Sequence, residues 1–213
     1  MKNFILKYKF FYRLYQKIIR NSKNEYDFIK FVFKKNKLIN VLDICCGDSY
    51  ILNYIKPNIS NYIGIDNNEN YLTQSRRKYP KFRFINCDIE KISQLKEIKN
   101  ADINFIFLNG AIHHFNDKIV QNLLFFINSK YPLAKFLSID PLKDNNKFIS
   151  KIMINMDRGK FIRNQIKYKK LMKNFDSLIT KDFFLMEFLL IFHSKNINLS
   201  ENYKEWKNDK TII

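Results

Sequence analysis

Between residues 40 and 140, five apolar runs of strand length recur with segments of helical character between most of them. This alternation constrains the fold more than any other feature of the chain. The runs are NVLDI (40–44), NYIGI (61–65), FRFIN (82–86), INFIFL (103–108) and AKFLSI (134–139), and the helical spacing is clearest over Glu69 to Lys78 and Asp117 to Asn128. Repeated strand, helix, strand means a parallel sheet with helices on both faces. Upstream, residues 5 to 35 read as helical with a break near Asn21 to Asn24, on apolar and aromatic residues three and four apart such as Ile5, Tyr8, Tyr12, Tyr15 and Ile19. Downstream, Lys147 to Met153 and Gln165 to Asn174 look helical. Ser177 to Phe184 and Phe188 to His193 then read as two strands joined by a tight turn, an antiparallel pair suited to the edge of a parallel sheet. The expectation is α/β: a seven-stranded, mostly parallel sheet with helices on both faces and an antiparallel terminal strand pair. It is one domain, divided into a helical cap (1–39), a core (40–140), further helices with the strand pair (141–199) and a polar tail (200–213) that is surface helix or partly disordered.

A hydrophobic fraction of 46% supports a substantial core. The formal charge of +18 attracts nucleic acid, anionic membrane surfaces or phosphorylated substrates. The lysines are spread along the whole chain, however, and the joint abundance of Lys, Asn and Ile is what an AT-rich coding sequence produces; a binding face would concentrate basic residues on one element. Cys45, Cys46 and Cys87 form an odd set, so no complete disulfide framework is available and a reducing, cytoplasmic setting fits. The most apolar stretch, FFLMEFLLIF (183–192), is too short to span a bilayer and carries Glu187, although the basic N-terminal segment could lie on an anionic membrane surface. The adjacent cysteines lack the spaced partner set that zinc requires, and no metal is expected.

In open α/β sheets ligands bind beyond the carboxyl ends of the strands, so the residues that follow each run are the informative ones. They are Asp43 to Ser49, Asp66, Cys87 with Asp88, Asn109 to His114, and Asp140. Gly47 lies where the chain turns from a strand into a helix with its backbone close to a ligand. Asp66 stands at about the distance from Asp43 at which an acidic residue meets a ribose, and a carboxylate there accepts two hydroxyl hydrogen bonds. Asp88 could accept from an adenine amino group. Acidic residues at strand ends also cap helices, so each feature carries weight through its order among the others.

These motifs resemble the class I S-adenosylmethionine-dependent methyltransferases. VLDICCGDS looks like the first motif of that family, YIGIDNN the second, INCDIE the third, and LNGAIHHF the stretch after the fourth strand. The resemblance covers residues 40 to 140 and implies a Rossmann-like fold with S-adenosylmethionine as cofactor and S-adenosylhomocysteine as product. It assigns cofactor contacts to Asp43, Cys45, Gly47, Asp66, Asn67, Asp88, Ile89, Asn109 and Gly110. FYRLYQ, DSYILNYI and DRGKFIRNQIKY (157–168) further resemble a small bacterial subgroup often associated with surface-polysaccharide or secondary-metabolite biosynthesis. Cys45 then occupies the first glycine position of the D-x-G-x-G pattern as a small buried filler. Ser49, where the family has glycine, is suited to cap the following helix.

Methyl transfer from a sulfonium requires an aligned acceptor and, for a hydroxyl, removal of a proton. His113, His114 and His193 are the 3 histidines of the chain. His114 is the first candidate base and His193 the second, while His113 serves either in catalysis or in holding its loop. Arg158 and Arg163 offer paired donors to a carboxylate or phosphate on the acceptor, or a salt bridge to Asp157. Tyr12 and Tyr15 either close the pocket or belong to the core. The expected acceptor is a small molecule or a glycan- or lipid-linked molecule, probed by the residues outside 40–140; the oligomeric state is open. An RNA methyltransferase is the alternative suggested by the charge, but the chain lacks an Asn/Asp-Pro-Pro-aromatic motif and a recognisable RNA-binding module. A non-catalytic methyltransferase-like binding protein is the other, suggested by Cys45 and Ser49.

Overall fold

The computed structural model describes residues 23–34, 39–143, 151, 154–155, 157, 159–180, 188–192 and 199–210. Tyr12, Tyr15, Arg158 and His193 lie outside the described residues, as does nearly all of the helix expected over Lys147 to Met153.

A seven-stranded sheet runs in the order β3-β2-β1-β4-β5-β7-β6. Its strands are β1 (Ile39–Ile44), β2 (Ile59–Asp66), β3 (Arg83–Asn86), β4 (Phe105–Asn109), β5 (Lys135–Pro141), β6 (Asp176–Thr180) and β7 (Phe188–Phe192). The first five are mutually parallel; β7 runs antiparallel between β5 and β6, as the sequence pattern predicts. The helices are α1 (Lys23–Lys34), α2 (Leu52–Ile55), α3 (Glu69–Lys78), α4 (Lys96–Lys99), α5 (Asp117–Lys130), α6 (Gln165–Leu171) and α7 (Leu199–Lys210), with 3-10 turns at 56–58, 89–94 and 112–114.

Strand alternation divides the core. Val41, Tyr62, Phe84, Phe105 and Leu137 face α1, α2, α3 and α7, whereas Leu42, Ile44, Ile63, Ile106 and Phe136 face α5, α6 and the 89–94 turn. Because the side-chain period of a strand is two, each strand supplies both faces, which explains why the runs read as nearly continuous hydrophobics. Three helix starts are set by asparagines. Asn68, Asn116 and Asn164 each accept a hydrogen bond from a backbone N–H in the first turn of α3, α5 and α6.

The C-terminal segment is helical over Leu199–Lys210, and two of its rings are buried. Tyr203 and Trp206, one turn apart on α7, are 9% and 4% exposed and pack edge-on against Phe28 of α1, with ring centroids 5.6 and 5.4 Å away. Two buried rings outweigh the polar residues around them, since burying each contributes roughly 1.5–3 kcal/mol. Among the described residues no helix is long and apolar enough to cross a membrane.

Strand order reverses between β1 and β4, and the parallel strands present their carboxyl ends at one edge there. A crevice opens at such a point in an open α/β sheet.

Candidate active site

The turn after β1 alternates left-handed residues: Cys45, Gly47 and Ser49 have φ of 60°, 56° and 52°. This is the backbone of a glycine-rich loop, although two of the three residues carry side chains. A non-glycine residue in this region costs roughly 1–2 kcal/mol, so the surroundings must hold it there. The amide of Cys46 donates to the carbonyl of Ile65, that of Ser49 to Cys46, and that of Gly47 to Asp66 Oδ2 at 2.9 Å. Ser49 is fully buried, its hydroxyl 3.2 Å from that of Ser75 on α3. The cap expected of it is therefore absent: α2 starts after Ile51 without a side-chain cap. Burial, reinforced by the negative charge of nearby carboxylates, pushes the Cys45 thiol far above its usual range. The Cys46 thiol is likewise raised by burial. Both stay protonated and serve as apolar filler.

A cleft of about 480 Å³ opens above this turn, a volume in the range of small-molecule sites. Cys45, Gly47, Asp66, Asn67, Asp88, Ile89 and Gly110 all line it, together with His114. A Cβ added at Gly47 would meet nothing within 4 Å, so the backbone itself forms an open cradle. Asp66 ends β2, and its oxygens accept from the amides of Gly47 and Asn68 at 2.9 and 2.8 Å. Each oxygen keeps a second lone pair for a ligand hydroxyl. Asp88 both lines the cleft and caps the 89–94 turn by accepting from the Glu90 amide. These groups fit the adenosine half of S-adenosylmethionine: paired acceptors for the ribose, an acceptor for the adenine amine, and no side chain in the cradle.

Two expected cofactor contacts have other partners. Asp43 is 3% exposed and accepts from the Tyr62 hydroxyl; burial raises its pKa to about 7 against the lowering effect of that hydrogen bond. Asn109 directs its amide to Glu25 of α1 at 3.0 Å. Glu25 is 6% exposed, and its pKa is raised to about 7, first by burial, with the Asn109 hydrogen bond opposing and the charge of Asp140 adding.

The histidines separate by role. His114 lines the cleft, and its pKa is lowered by desolvation and then by the adjacent His113, whose ring centroid is 4.3 Å away. His113 is 3% exposed, with Nδ1 2.8 Å from Asp140 Oδ1 and Nε2 3.2 Å from Asp157 Oδ1. Its backbone amide also donates to Asp140, and Ser138 donates to the other Asp140 oxygen at 2.6 Å. Burial alone would lower the His113 pKa, but the two carboxylates outweigh it and raise it to about 9. The donor atoms of His113, His114 and Asp157 come within 4.8 Å of one another. Both His113 nitrogens are already engaged by carboxylates.

Arg163, expected to clamp the acceptor, is 4% exposed and faces inward. Its guanidinium donates to Asp117 at 2.8 Å and to the carbonyls of Ile112, Phe115 and Phe161. It ties residues 159–163 to the 112–114 turn that presents His114. The same stretch is joined by a bond from the Phe161 amide to the His113 carbonyl, 2.9 Å long. Asp157, Gly159, Asp140 and Glu25 were thus not singled out by sequence reasoning for the roles they hold. Asp157 and Gly159 stand in DRGKFIRN, where the arginines drew attention.

Residues 41–127 match the family described as a methyltransferase domain. No curated protein matches the chain. Among solved structures, magnesium protoporphyrin IX methyltransferase from Synechocystis PCC 6803, with bound SAH, is 15% identical with a TM-score of 0.60 over 84% of this chain and 86% of that one. The mitomycin 7-O-methyltransferase is 13% identical with a TM-score of 0.59, over 80% of this chain and 53% of that one. Human N-acetylserotonin methyltransferase in complex with SAM is 15% identical with a TM-score of 0.57, over 76% and 50%. This chain thus spans about half the length of the latter two. Sequence match, strand order and cleft agree: residues 41–127 match a methyltransferase domain, and the fold is similar to that of the SAM- and SAH-bound methyltransferases named above.

Proposed function

We propose that the protein methylates a hydroxyl group on a small-molecule or glycan- or lipid-linked acceptor, with His114 taking up the hydroxyl proton. The position of His114 in the cleft, with its pKa held below the ordinary histidine value, carries this reading. An imidazole that is unprotonated at neutral pH can accept a proton. S-adenosylmethionine, when bound, supplies an electrophilic methyl group on a sulfonium. With the methyl group passing to the acceptor oxygen, His114 would take up the proton that the hydroxyl loses. Asp66 and Asp88 fix the nucleoside and the Gly47 turn lets the backbone approach it, while Gly110, Ala111 and Phe115 line the same cleft as His114. His193 remains the second proposed base, and Tyr12, Tyr15 and Arg158 remain proposed substrate-binding residues. Arg163 has the different work described above.

Calorimetric titration with S-adenosylmethionine and S-adenosylhomocysteine tests the first half. Wild type should bind in the micromolar range. Asp66→Ala should lose about a hundredfold or more, because hydrogen bonds to a charged group contribute about 1.5–3 kcal/mol each. Methyl transfer from labelled cofactor into hydroxylated sugars, lipids and phenols, abolished by His114→Ala, tests the second. Absence of cofactor binding to cofactor-free protein would overturn the reading. The charge of +18 favours an RNA acceptor as a second reading, for which salt-sensitive RNA binding would be required.

A further inference from the structure

Both ring nitrogens of His113 face carboxylate oxygens, Asp140 from β5 and Asp157 from the stretch that crosses the site. A neutral imidazole carries one N–H and would turn a lone pair toward the second carboxylate. Asp140 already accepts from the His113 amide and the Ser138 hydroxyl, and Asp157 from the Gly159 amide at 2.5 Å, so both carboxylates act as acceptors toward the groups around them. The charge that completes the set is a proton on His113. His114 is the next residue, its ring 4.3 Å from that of His113 and tilted by 38°.

We propose that Asp140 and Asp157 hold His113 as a doubly bonded imidazolium, and that this fixed charge keeps the neighbouring His114 in its proton-accepting form at the edge of the cleft. His113, Asp140 and Asp157 are then positioning residues that act through His114. The inference rests on the reading of His114 as the proton acceptor and deepens it. The other charges around the pair are consistent with this arrangement. The Arg163 guanidinium donates to the carbonyls of Ile112 and Phe115, which flank the two histidines in the chain, and Glu25, hydrogen-bonded to Asn109, is near enough to Asp140 to feel its charge. The pKa of His113, raised to about 9, and that of His114, lowered, follow the same pattern.

The device requires no acceptor to be observed. With 3 histidines in the chain, ring carbon and proton resonances can be followed individually by NMR between pH 5 and 10. In wild type, His113 should report the charged form through neutral pH and titrate near 9, while His114 titrates below the ordinary histidine value of about 6.5. His113→Gln should move the His114 midpoint upward. Asp157→Asn, a milder change at a side chain that is 15% exposed, should lower the His113 midpoint, since it removes one of the two carboxylates that hold the ring. Circular dichroism and cofactor binding identify variants that have kept their fold. An unmoved His114 midpoint in folded His113→Gln, an unmoved His113 midpoint in folded Asp157→Asn, or a neutral His113 tautomer at pH 7 in wild type would overturn the proposal. So would micromolar Zn²⁺ binding that perturbs both rings and is lost in Asp157→Asn, because the cluster would then be a metal site. Failure of the underlying reading looks different: the midpoints shift as described, yet His114→Ala transfers methyl groups as fast as wild type.

Discussion

Gly159 offers a steric test of the strap that holds the histidine turn. A Cβ placed there would lie 2.1 Å from His113 Cδ2 and 2.9 Å from both the His113 carbonyl oxygen and Asp157 Oδ1. Ordinary contact begins at about 3.4 Å, so ring and strap must separate by about 1.3 Å. The ring cannot supply that movement unaided, because Nδ1 is held 2.8 Å from Asp140, and a displacement of this size exceeds hydrogen-bond reach. Either the His113–Asp157 contact breaks or the strap lifts, loosening the Phe161 and Arg163 bonds. Overpacking costs about 1–3 kcal/mol and a lost hydrogen bond to a charged group about 1.5–3, so Gly159→Ala should destabilise by about 3–5 kcal/mol. At about 2–4 °C per kcal/mol for a chain of this size, Tm should fall by about 6–20 °C. Thermal and urea unfolding would measure it, with the exposed neighbour Lys160→Ala expected to stay within about 0.5 kcal/mol of wild type. A Gly159→Ala protein melting within about 2 °C of wild type would refute the reasoning.

Three further outcomes can be stated. Cys45→Gly removes a side chain from a left-handed position but frees the unfolded chain, and the opposing effects should leave stability within about 1 kcal/mol and cofactor affinity unchanged by calorimetry; a loss above about 2 kcal/mol would mean the thiol has a role beyond filling space. Glu25 has a folded pKa of about 7, above its unfolded value, so the stability tied to its proton is complete below about pH 4.5 and is lost as pH rises through 7. Glu25→Gln should therefore match wild type near pH 5 and exceed it at pH 8 by about 1–3 kcal/mol in urea unfolding, and a pH-independent difference would contradict the burial argument. Trp206→Ala should cost about 3–5 kcal/mol, read by denaturation, whereas a freely solvated tail would lose nothing.

The sheet was legible because its information is local. NVLDI, NYIGI and INFIFL are apolar over strand length and interrupted at fixed intervals, and the antiparallel pair was foreshadowed by two apolar runs without room for a crossover helix. The cofactor side of the cleft was legible for the same reason: Gly47, Asp66 and Asp88 each end or follow a strand, so chain order alone brings them to one edge. The turn at Cys45 and Ser49 shows where that logic stops. Their identities suggested departures from a glycine loop, whereas their φ values retain the loop and depend on amide bonds to Ile65 and Asp66 from the next strand. A polar residue at a strand end also reads alike whether it faces the cleft or the core, and Asp43 and Asn109 turn to Tyr62 and Glu25.

The acceptor side depends on pairings between distant residues, and there residue type misleads. Arg163 reads as an anion clamp because a guanidinium carries paired donors, but the same donors satisfy three backbone carbonyls and Asp117 when the side chain is buried. A buried arginine with a complete set of acceptors has little capacity left for a substrate. Its value lies in fixing the 112–114 turn, so Arg163→Met should disturb His114 without removing any group that touches an acceptor. In a variant that still binds cofactor, that distinction appears as a fall in kcat at nearly constant KM, whereas loss of a substrate clamp raises KM. The arginine is therefore best understood with Asp157 and Gly159 as part of the strap, and the specificity of the site is left to residues that face the cleft.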